Sequence, residues 1–324
     1  MKKTIVTLLV LIMNVGINEN LHAQDAEFTQ FYANPLYLNP AFAGSARCPR
    51  ICLNYRNQWP GLNKTYIAYN FSYDQHFDGI SGGLGVLVTN DRAGDGTMNT
   101  TDAGLIYSYA FHPTPEFSIR VGFQGTFHQK IVDWSKVNFG DMIDPKKGFI
   151  WNTNEIPKSY PTQKVQAADF SAGILGFSKR YFFGLSAHHL TQPDESFTNT
   201  LVSKLPIKIT GHAGAMLPIK RNKGNDAFIS PNILFQKQQE FQQLNIGLYF
   251  MKGSMVTGLW YRNMDALILL LGYQMGSVRL GYSYDVTVSR LANSTLGSHE
   301  ISLNMQFDCK PAKKKYRLVS CPSF

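Results

Sequence analysis

The stretch that decides the fold is VRLGYSYDVT, residues 278–287, in which large apolar side chains alternate with small or polar ones. Its apolar face consists of Val278, Leu280, Tyr282, Tyr284 and Val286, and its opposite face of Arg279, Gly281, Ser283, Asp285 and Thr287. Successive side chains of a β-strand point to opposite sides. The stretch therefore predicts a strand that separates an apolar environment from a polar one.

The same alternation recurs along the chain, for example in residues 67–73, 117–127, 244–250 and 301–307. The candidate strands lie near 50–59, 64–74, 80–90, 98–110, 116–130, 165–177, 180–191, 205–217, 226–238, 241–251, 254–263, 265–275, 278–288 and 298–309. Most approach the ~9–11 residues that a tilted membrane strand needs, and their number, fourteen, is even. The pattern predicts an all-β fold, an antiparallel transmembrane β-barrel of about fourteen strands.

The lengths of the connections separate a barrel from a soluble β-sandwich. The longest gaps, 131–164, 192–204 and 289–297, follow the fifth, seventh and thirteenth candidate strands, so all three fall at the same end. Outer-membrane barrels keep their long loops on the extracellular side, whereas a soluble sandwich has no reason to sort them. We therefore expect residues 131–164 to form a long extracellular loop.

Composition agrees with a membrane barrel and excludes a helical membrane protein. Charged residues make up 16% of the chain and aromatic residues 13%, and no stretch near 18 uninterrupted apolar residues follows the N-terminus. Aromatic side chains on the apolar faces suit the girdles at the two membrane–water interfaces. The formal charge is +9, but we expect no nucleic acid partner for an exported barrel.

The two ends of the chain differ from the strand region. Residues 1–23 have the order of a secretory signal peptide, with Lys2 and Lys3 ahead of a short apolar run and with Ala23 near the expected cleavage site. We expect a segment 24–50, punctuated by Pro and Asn, a barrel over 51–309 and a tail over 310–324. The tail carries the cations Lys310, Lys313, Lys314, Lys315 and Arg317. We expect it in the periplasm, either as a docking element or as a solvated tail.

The four cysteines lie close to the two ends of the predicted barrel. They are Cys48, Cys52, Cys309 and Cys321. Because the first and last strands of a closed barrel are neighbours, one or two disulfides could staple the segment before the barrel to the tail. Four cysteines allow three pairings, and the sequence does not choose among them.

The sequence contains little that points to an enzyme. His188 and His189 are adjacent and would point to opposite faces of a strand, so they cannot share a metal ion. Ser186 and His188 share a face, but a lumen contact explains them equally well. We predict no catalytic residues, no metal site and no cofactor.

Several motifs resemble the PorP/SprF family of type IX secretion proteins from Bacteroidetes. They are QFYANPLYLNPAFAG (30–44), NYRNQWPG (54–61), SYDQHF (72–77), GGLGVLVTNDRAGDG (82–96), SYDVTVSRL (283–291) and the terminal CPSF. The resemblance implies an integral outer-membrane barrel, surrounded by lipid, that belongs to the type IX secretion and gliding machinery. It further implies that the protein helps to secrete or anchor surface adhesins, and that its partners are periplasmic ring proteins and an adhesin or the adhesin's C-terminal sorting domain.

The opening motif and a nearby tryptophan are the candidate contact residues. They are Gln30, Phe31, Tyr32, Asn34, Pro35, Asn39, Pro40 and Trp59. Each Asn-Pro pair favours a turn, and the aromatic rings can pack against a barrel mouth. Two placements remain open, a plug inside the lumen and an arm along the periplasmic rim. The main alternative function is an outer-membrane porin whose lumen presents Arg120, Arg279 and Asp285 to solutes.

Overall fold

The computed structural model describes residues 25–62, 66–144, 146, 148–149, 162–197, 202–219, 227–288 and 295–309. The predicted signal peptide (1–23) and the basic tail (310–324, with Cys321) lie outside these ranges. Within them, no helix is both long enough and apolar enough to cross a membrane.

The described residues form strands almost throughout. The strands are β1 (Arg50–Gln58), β2 (Tyr66–Phe77), β3 (Gly82–Ala93), β4 (Met98–Thr114), β5 (Phe117–Asp133), β6 (Ile143–Asp144), β7 (Gly148–Phe149), β8 (Thr162–Ser178), β9 (Tyr181–His188), β10 (Lys208–Ala215), β11 (Leu217–Ile219), β12 (Ala227–Gln238), β13 (Phe241–Lys252), β14 (Met255–Arg262), β15 (Ala266–Met275), β16 (Val278–Thr287) and β17 (Ser298–Gln306). The short strands β6 and β7 pair only with each other, in the connection between β5 and β8.

The other strands close into one antiparallel ring. Neighbours in sequence pair with each other, β5 pairs with β8, and β1 pairs with β17 from Arg50↔Gln306 to Gln58↔Ser298. The ring closes on its far side where β10 pairs with β12, and β11 continues β10 along the same neighbour. The result is a closed barrel of fourteen strands, which confirms the fold predicted from the alternation.

Burial alternates along each barrel strand as the sequence pattern predicts. In β5, Phe123 and Phe127 point outward with 58% and 50% of their surface exposed, while Arg120, Gln124 and His128 point inward and are buried. Large apolar side chains cover the outside of the other strands in the same way. Such an outer surface is stable against lipid and unfavourable in water.

The barrel has two ends, which we name by the chain segments found there. The terminus end is where β1 begins and β17 ends, and the loop end is where the connections 134–161, 189–207 and 288–297 lie. The expected boundaries of the longest loop, 131–164, were too wide. Strands β5 and β8 remain paired as far as Asp133↔Thr162, so the connection is 134–161.

Candidate functional site

The lumen is occupied by the chain's own N-terminal segment, residues 25–49. It is compact, with a single helical turn at Pro35–Leu38 between 3-10 turns at Phe31–Ala33 and Pro40–Phe42. Pro35 and Pro40 each stand at the first position of their turn, where a missing N–H costs nothing. Asn39 caps the last turn, because its Oδ1 accepts a hydrogen bond of 2.9 Å from Ala41 N. Of the two placements left open by the sequence, the structure has the plug.

The N-terminal segment runs through the barrel from one end to the other. Its first residue, Asp25, contacts Gln238 and His189 at the loop end. Gly44 N donates to Asp74 Oδ2 at 2.8 Å close to the terminus end, where β1 then begins. From Asp25 onward the described chain thus runs from the loop end of the lumen to the other end, where it enters the barrel wall.

Aromatic rings fill the middle of the lumen. Phe31 packs edge-on against Trp260 with ring centroids 5.1 Å apart, and Tyr32 packs edge-on against Phe182 at 5.3 Å. Tyr249 completes the cluster against Trp260 at 5.6 Å. These side chains are all buried. Two residues of the opening motif therefore form a small hydrophobic core inside a barrel whose inner wall is otherwise largely polar.

Inward-facing glycines give the N-terminal segment its room. A Cβ built on Gly122 would lie 2.3 Å from Ala41 N, and one on Gly173 would lie 2.1 Å from Asn39 Oδ1. The amide of Asn39 donates to the carbonyl oxygens of Ile174 at 3.1 Å and Leu185 at 3.2 Å, one on β8 and one on β9. The segment thus touches the wall with its backbone at Gly122 and with the Asn39 side chain at Gly173, where a side chain on the wall would exclude it.

A buried carboxylate on β17 holds the start of the opening motif. Glu300 accepts hydrogen bonds from the backbone N–H groups of Thr29 and Gln30 and faces Arg56 at 3.5 Å. The side chain of Gln30 donates to the Glu300 carbonyl oxygen at 3.0 Å and accepts from Ser302 Oγ at 2.6 Å. The two backbone N–H groups and Arg56 thus compensate an otherwise costly buried carboxylate, and the Gln30 side chain adds two bonds to β17.

A second carboxylate joins three strands beside the first. Asp285 Oδ2 lies 2.9 Å from Arg56 Nη2 and 3.3 Å from Arg262 Nη1, and it accepts from Thr29 Oγ1 at 2.8 Å. Arg56 Nη1 also donates to Thr29 Oγ1. Arg262 reaches Glu27 of the N-terminal segment at 3.9 Å. The network therefore ties the segment to β1, β14 and β16.

Near the terminus end the contacts are again to the backbone of the N-terminal segment. Asp74 pairs with Arg50 at 2.8 Å and accepts from Gly44 N. Arg120 Nη1 and Ser108 Oγ both donate to the carbonyl oxygen of Ala43, at 2.8 and 2.6 Å. Backbone recognition of this kind fixes the path of the segment.

A cavity of about 100 Å³ remains in the lumen beside Asp25, toward the loop end. Its charged wall includes His189, whose ring nitrogens lie 2.9 Å from Asp25 and 2.8 Å from Asp169, and Lys208, which lies 3.4 Å from Asp25. Burial opposes ionisation of Asp25, but the charges of Lys208 and His189 outweigh it and hold the pKa of Asp25 below its usual value. Burial likewise disfavours protonated His189, yet the Asp25 charge and the bond to Asp169 raise the pKa of His189 to about 10.

The connection 189–207 reaches into the same cavity. Glu195 lies 2.7 Å from Lys130 Nζ and 2.9 Å from His128 Nε2, and His128 Nδ1 lies 2.6 Å from Asp102. Both basic residues are on the inner face of β5. The ion pairs hold this connection against the inner wall at the loop end.

The three described cysteines lie at the terminus end. Cys48 and Cys309 form a disulfide, with Cα atoms 4.5 Å apart, just before β1 and just after β17. The bond extends the pairing of the first and last strands, where Phe307 N donates to Pro49 O at 2.9 Å. Cys52 is a buried free thiol on the inner face of β1.

The remaining candidate residues are distributed as follows. Asn34 is buried and accepts from Asn70 Nδ2 at 2.7 Å. Trp59 lies apart from the lumen motif, in the turn after β1, with its ring 5.8 Å from Tyr66. Ser186 donates to the carbonyl oxygen of Leu38 at 2.8 Å, so its hydroxyl serves the N-terminal segment.

Sequence reasoning missed most of the charged anchors. Asp285 and Arg120 were expected on the lumen face, but Glu300, Arg56, Asp74 and Asp25 were not singled out. Their signal was available, because a charged residue at an inward position of an alternating strand needs a partner in the lumen.

Solved structures similar to the chain are membrane barrels at low identity. The Ralstonia pickettii toluene transporter TbuX is 11% identical, with 88% of this chain and 96% of that chain covered and a TM-score of 0.48. The KdgM porin is 10% identical, with coverages of 80% and 99% and a TM-score of 0.36. The β domain of the Bordetella autotransporter BrkA is 12% identical, with coverages of 81% and 100% and a TM-score of 0.39. No curated protein sequence matches the chain.

The sequence of this chain matches one protein family over nearly the whole barrel. That family is Type IX secretion system membrane protein PorP/SprF, and the match spans residues 20–305, from before the N-terminal segment to the last strand. The matched range contains both the closed barrel and the residues that fill it. The chain is therefore an integral outer-membrane protein that belongs to the PorP/SprF family of type IX secretion system membrane proteins.

Proposed function

We propose that this barrel helps the type IX secretion system to export or anchor surface adhesins. Where those adhesins act in gliding, the barrel contributes to gliding motility. One observation carries the proposal beyond family membership: the N-terminal segment fills the lumen from the loop end to the terminus end. A filled barrel offers its partners surfaces, whereas a porin offers solutes a passage. Within this role the protein binds and positions partners, and we propose no catalytic step for it.

The two ends of the barrel suit different partners. Short turns at the terminus end expose Lys179, Arg180 and Lys252, and the basic tail follows β17 in the sequence. We propose that this end faces the periplasm and contacts ring components of the secretion machinery through acidic surfaces. The loop end then faces the cell exterior and the adhesin.

Deleting the gene tests the proposal. Surface proteins of the deletion strain are compared with those of the parent, and a plasmid copy of the gene serves as the control. We expect the loss of one or a few exported adhesins while other exported proteins stay at the surface. An unchanged surface proteome would contradict the proposal, and so would steady, large single-channel currents from the purified intact protein, which would favour the porin alternative.

A further inference from the structure

Strand β8 is far longer than its neighbour β9. It has seventeen residues against eight, and the two pair only from Ala172↔Ala187 to Phe177↔Phe182. On its other side β8 pairs with β5 along its full length. The first half of β8 therefore has one edge that β9 does not cover.

The chain that follows β9 covers only a small part of this edge. Leu190 N donates to Phe170 O at 2.9 Å, and Thr191 Oγ1 donates to Ala168 O at 3.3 Å. The connection then turns toward the cavity, where Glu195 pairs with Lys130. In the described part of the chain, the backbone groups of Lys164 and Gln166 that point away from β5 have no partner.

Strand geometry identifies those backbone groups. The N–H and C=O of one residue in an antiparallel strand point to the same side, and the side alternates along the strand. Since Phe170 O bonds on the β9 side, Gln166 and Lys164 also present their N–H and C=O on that side. The residues between them, such as Val165, bond to β5. The N–H and C=O groups on the open edge thus recur at every second residue, which is the spacing of a β-ladder.

This edge lies beyond the apolar band. Outward side chains change from Phe127 and Phe170, which are about half exposed, to Gln129 and Gln166, whose amides are hydrogen-bonded at 2.9 Å. Polar outward side chains mark the part of a barrel strand that stands in water. A polypeptide arriving from the loop end can reach the edge without entering lipid.

A second copy of this chain does not fit the edge. Antiparallel pairing of two β8 strands would turn the second barrel upside down and lift it out of the membrane. Parallel pairing would place the half of the second β8 that is nearer the terminus end where β9 already lies, beside Ala172–Phe177. The occupant has to be an extended segment that carries no barrel of its own next to the edge.

We infer that the β8 edge at Lys164–Gln166 receives an extended strand of the adhesin whose export or anchoring depends on this barrel. The inference rests on the proposed function and names where the client is held. Strand addition recognises backbone groups, so it suits a client that emerges in an extended form and need not have one fixed sequence. Natural edges of this kind are usually shortened or covered, and the described residues leave this one open at the loop end.

The client used as probe is the surface protein lost on gene deletion, tagged and expressed in cells that carry barrel variants. Gln166→Pro removes an N–H from the open side and leaves the β5 ladder intact, and proline is tolerated at strand edges. Gln166→Ala is the matched control, because it removes the same side chain and keeps the N–H. We expect Gln166→Pro to lower surface display of the client about tenfold, and Gln166→Ala to leave it unchanged.

A photocrosslinker at Lys164 of the otherwise unaltered barrel provides a measurement that does not depend on the folding of the proline variant. We expect it to capture the tagged client. Normal display with a folded Gln166→Pro barrel, or crosslinks that stay within the chain or join two copies, would overturn the inference while leaving the proposed function in place. If no surface protein is lost on deletion, the proposed function fails and the inference fails with it.

Discussion

Gly122 and Ala41 lie so close together that a Cβ on Gly122 would stand 2.3 Å from the backbone nitrogen of Ala41. One residue is in the barrel wall and the other in the N-terminal segment. Both sides of the contact are backbone, so neither can move aside cheaply. The wall and the segment are therefore fitted to each other, and the lumen of this barrel is a packed interior.

The first prediction concerns this fit. Gly122→Ala should destabilise the folded barrel by about 1–3 kcal/mol, because the added methyl group overpacks the contact. Gly125→Ala, on the same strand but facing outward, is the matched control, since its Cβ would meet only Phe170 at 3.7 Å. Urea unfolding in lipid vesicles measures both variants. Equal stabilities for the two would mean that the segment does not touch the wall at Gly122.

The second prediction concerns the carboxylate of Glu300. Glu300→Ala should destabilise the fold by about 3–5 kcal/mol, because it leaves two buried backbone N–H groups without an acceptor and takes from Arg56 one of its two carboxylate partners. Limited proteolysis of the N-terminal segment should speed up in parallel. Glu240→Ala, which removes an exposed carboxylate from a turn, is the control. The anchoring role is refuted if the two variants resist protease equally.

The third prediction concerns the disulfide between Cys48 and Cys309. Replacing both by Ser should destabilise the barrel by about 2–5 kcal/mol, because the bond closes a long chain loop at the seam of β1 and β17. The temperature at which the folded band is lost on a gel should fall. Cys52→Ser provides a comparison that keeps the bond. Reducing agent should lower the transition temperature of the Cys52→Ser protein and leave that of the protein with Ser at both 48 and 309 unchanged. A transition that reducing agent does not move would argue against the bond.

The fourth prediction is a pH dependence at the loop end. The pKa of His189 is raised to about 10, so the stabilisation from its contacts with Asp25 and Asp169 is complete below its unfolded pKa, near 6.5, and is lost as pH rises through about 10. Hydrogen exchange of the first residues of the N-terminal segment should therefore speed up between pH 7 and 10 beyond its intrinsic rate. His189→Gln should remove that extra dependence, and an unchanged profile in this variant would contradict the assignment.

The barrel could be predicted from the sequence because lipid and lumen impose opposite demands on neighbouring residues. That contrast is visible along VRLGYSYDVT and in every long strand. Strand ends carry less of this contrast, since β5 and β8 continue past the apolar band as a hydrogen-bonded ribbon in water. There the alternation fades, so the sequence predicts the loop at 131–164 where the structure has 134–161.

The filled lumen could be expected only in part. The N-terminal segment has no period of its own, and its contacts join residues far apart in sequence, such as Thr29 and Asp285, which are 256 positions apart. The Asn-Pro turns and aromatic rings of the opening motif suit a plug in the lumen and an arm along the rim equally well, so the sequence does not choose between the two placements. The position of Asp25 at the loop end has no signal in the sequence, because it depends on the direction in which the segment threads the barrel.

Single-channel recording in planar bilayers, with the intact protein and a variant that lacks residues 25–47, tests most directly whether the N-terminal segment closes the lumen. Both proteins are first shown to fold by their heat-dependent gel mobility. The account predicts no steady current from the intact protein and large, stable openings from the shortened one. Equal conductance from the two folded proteins, open or closed, would contradict it.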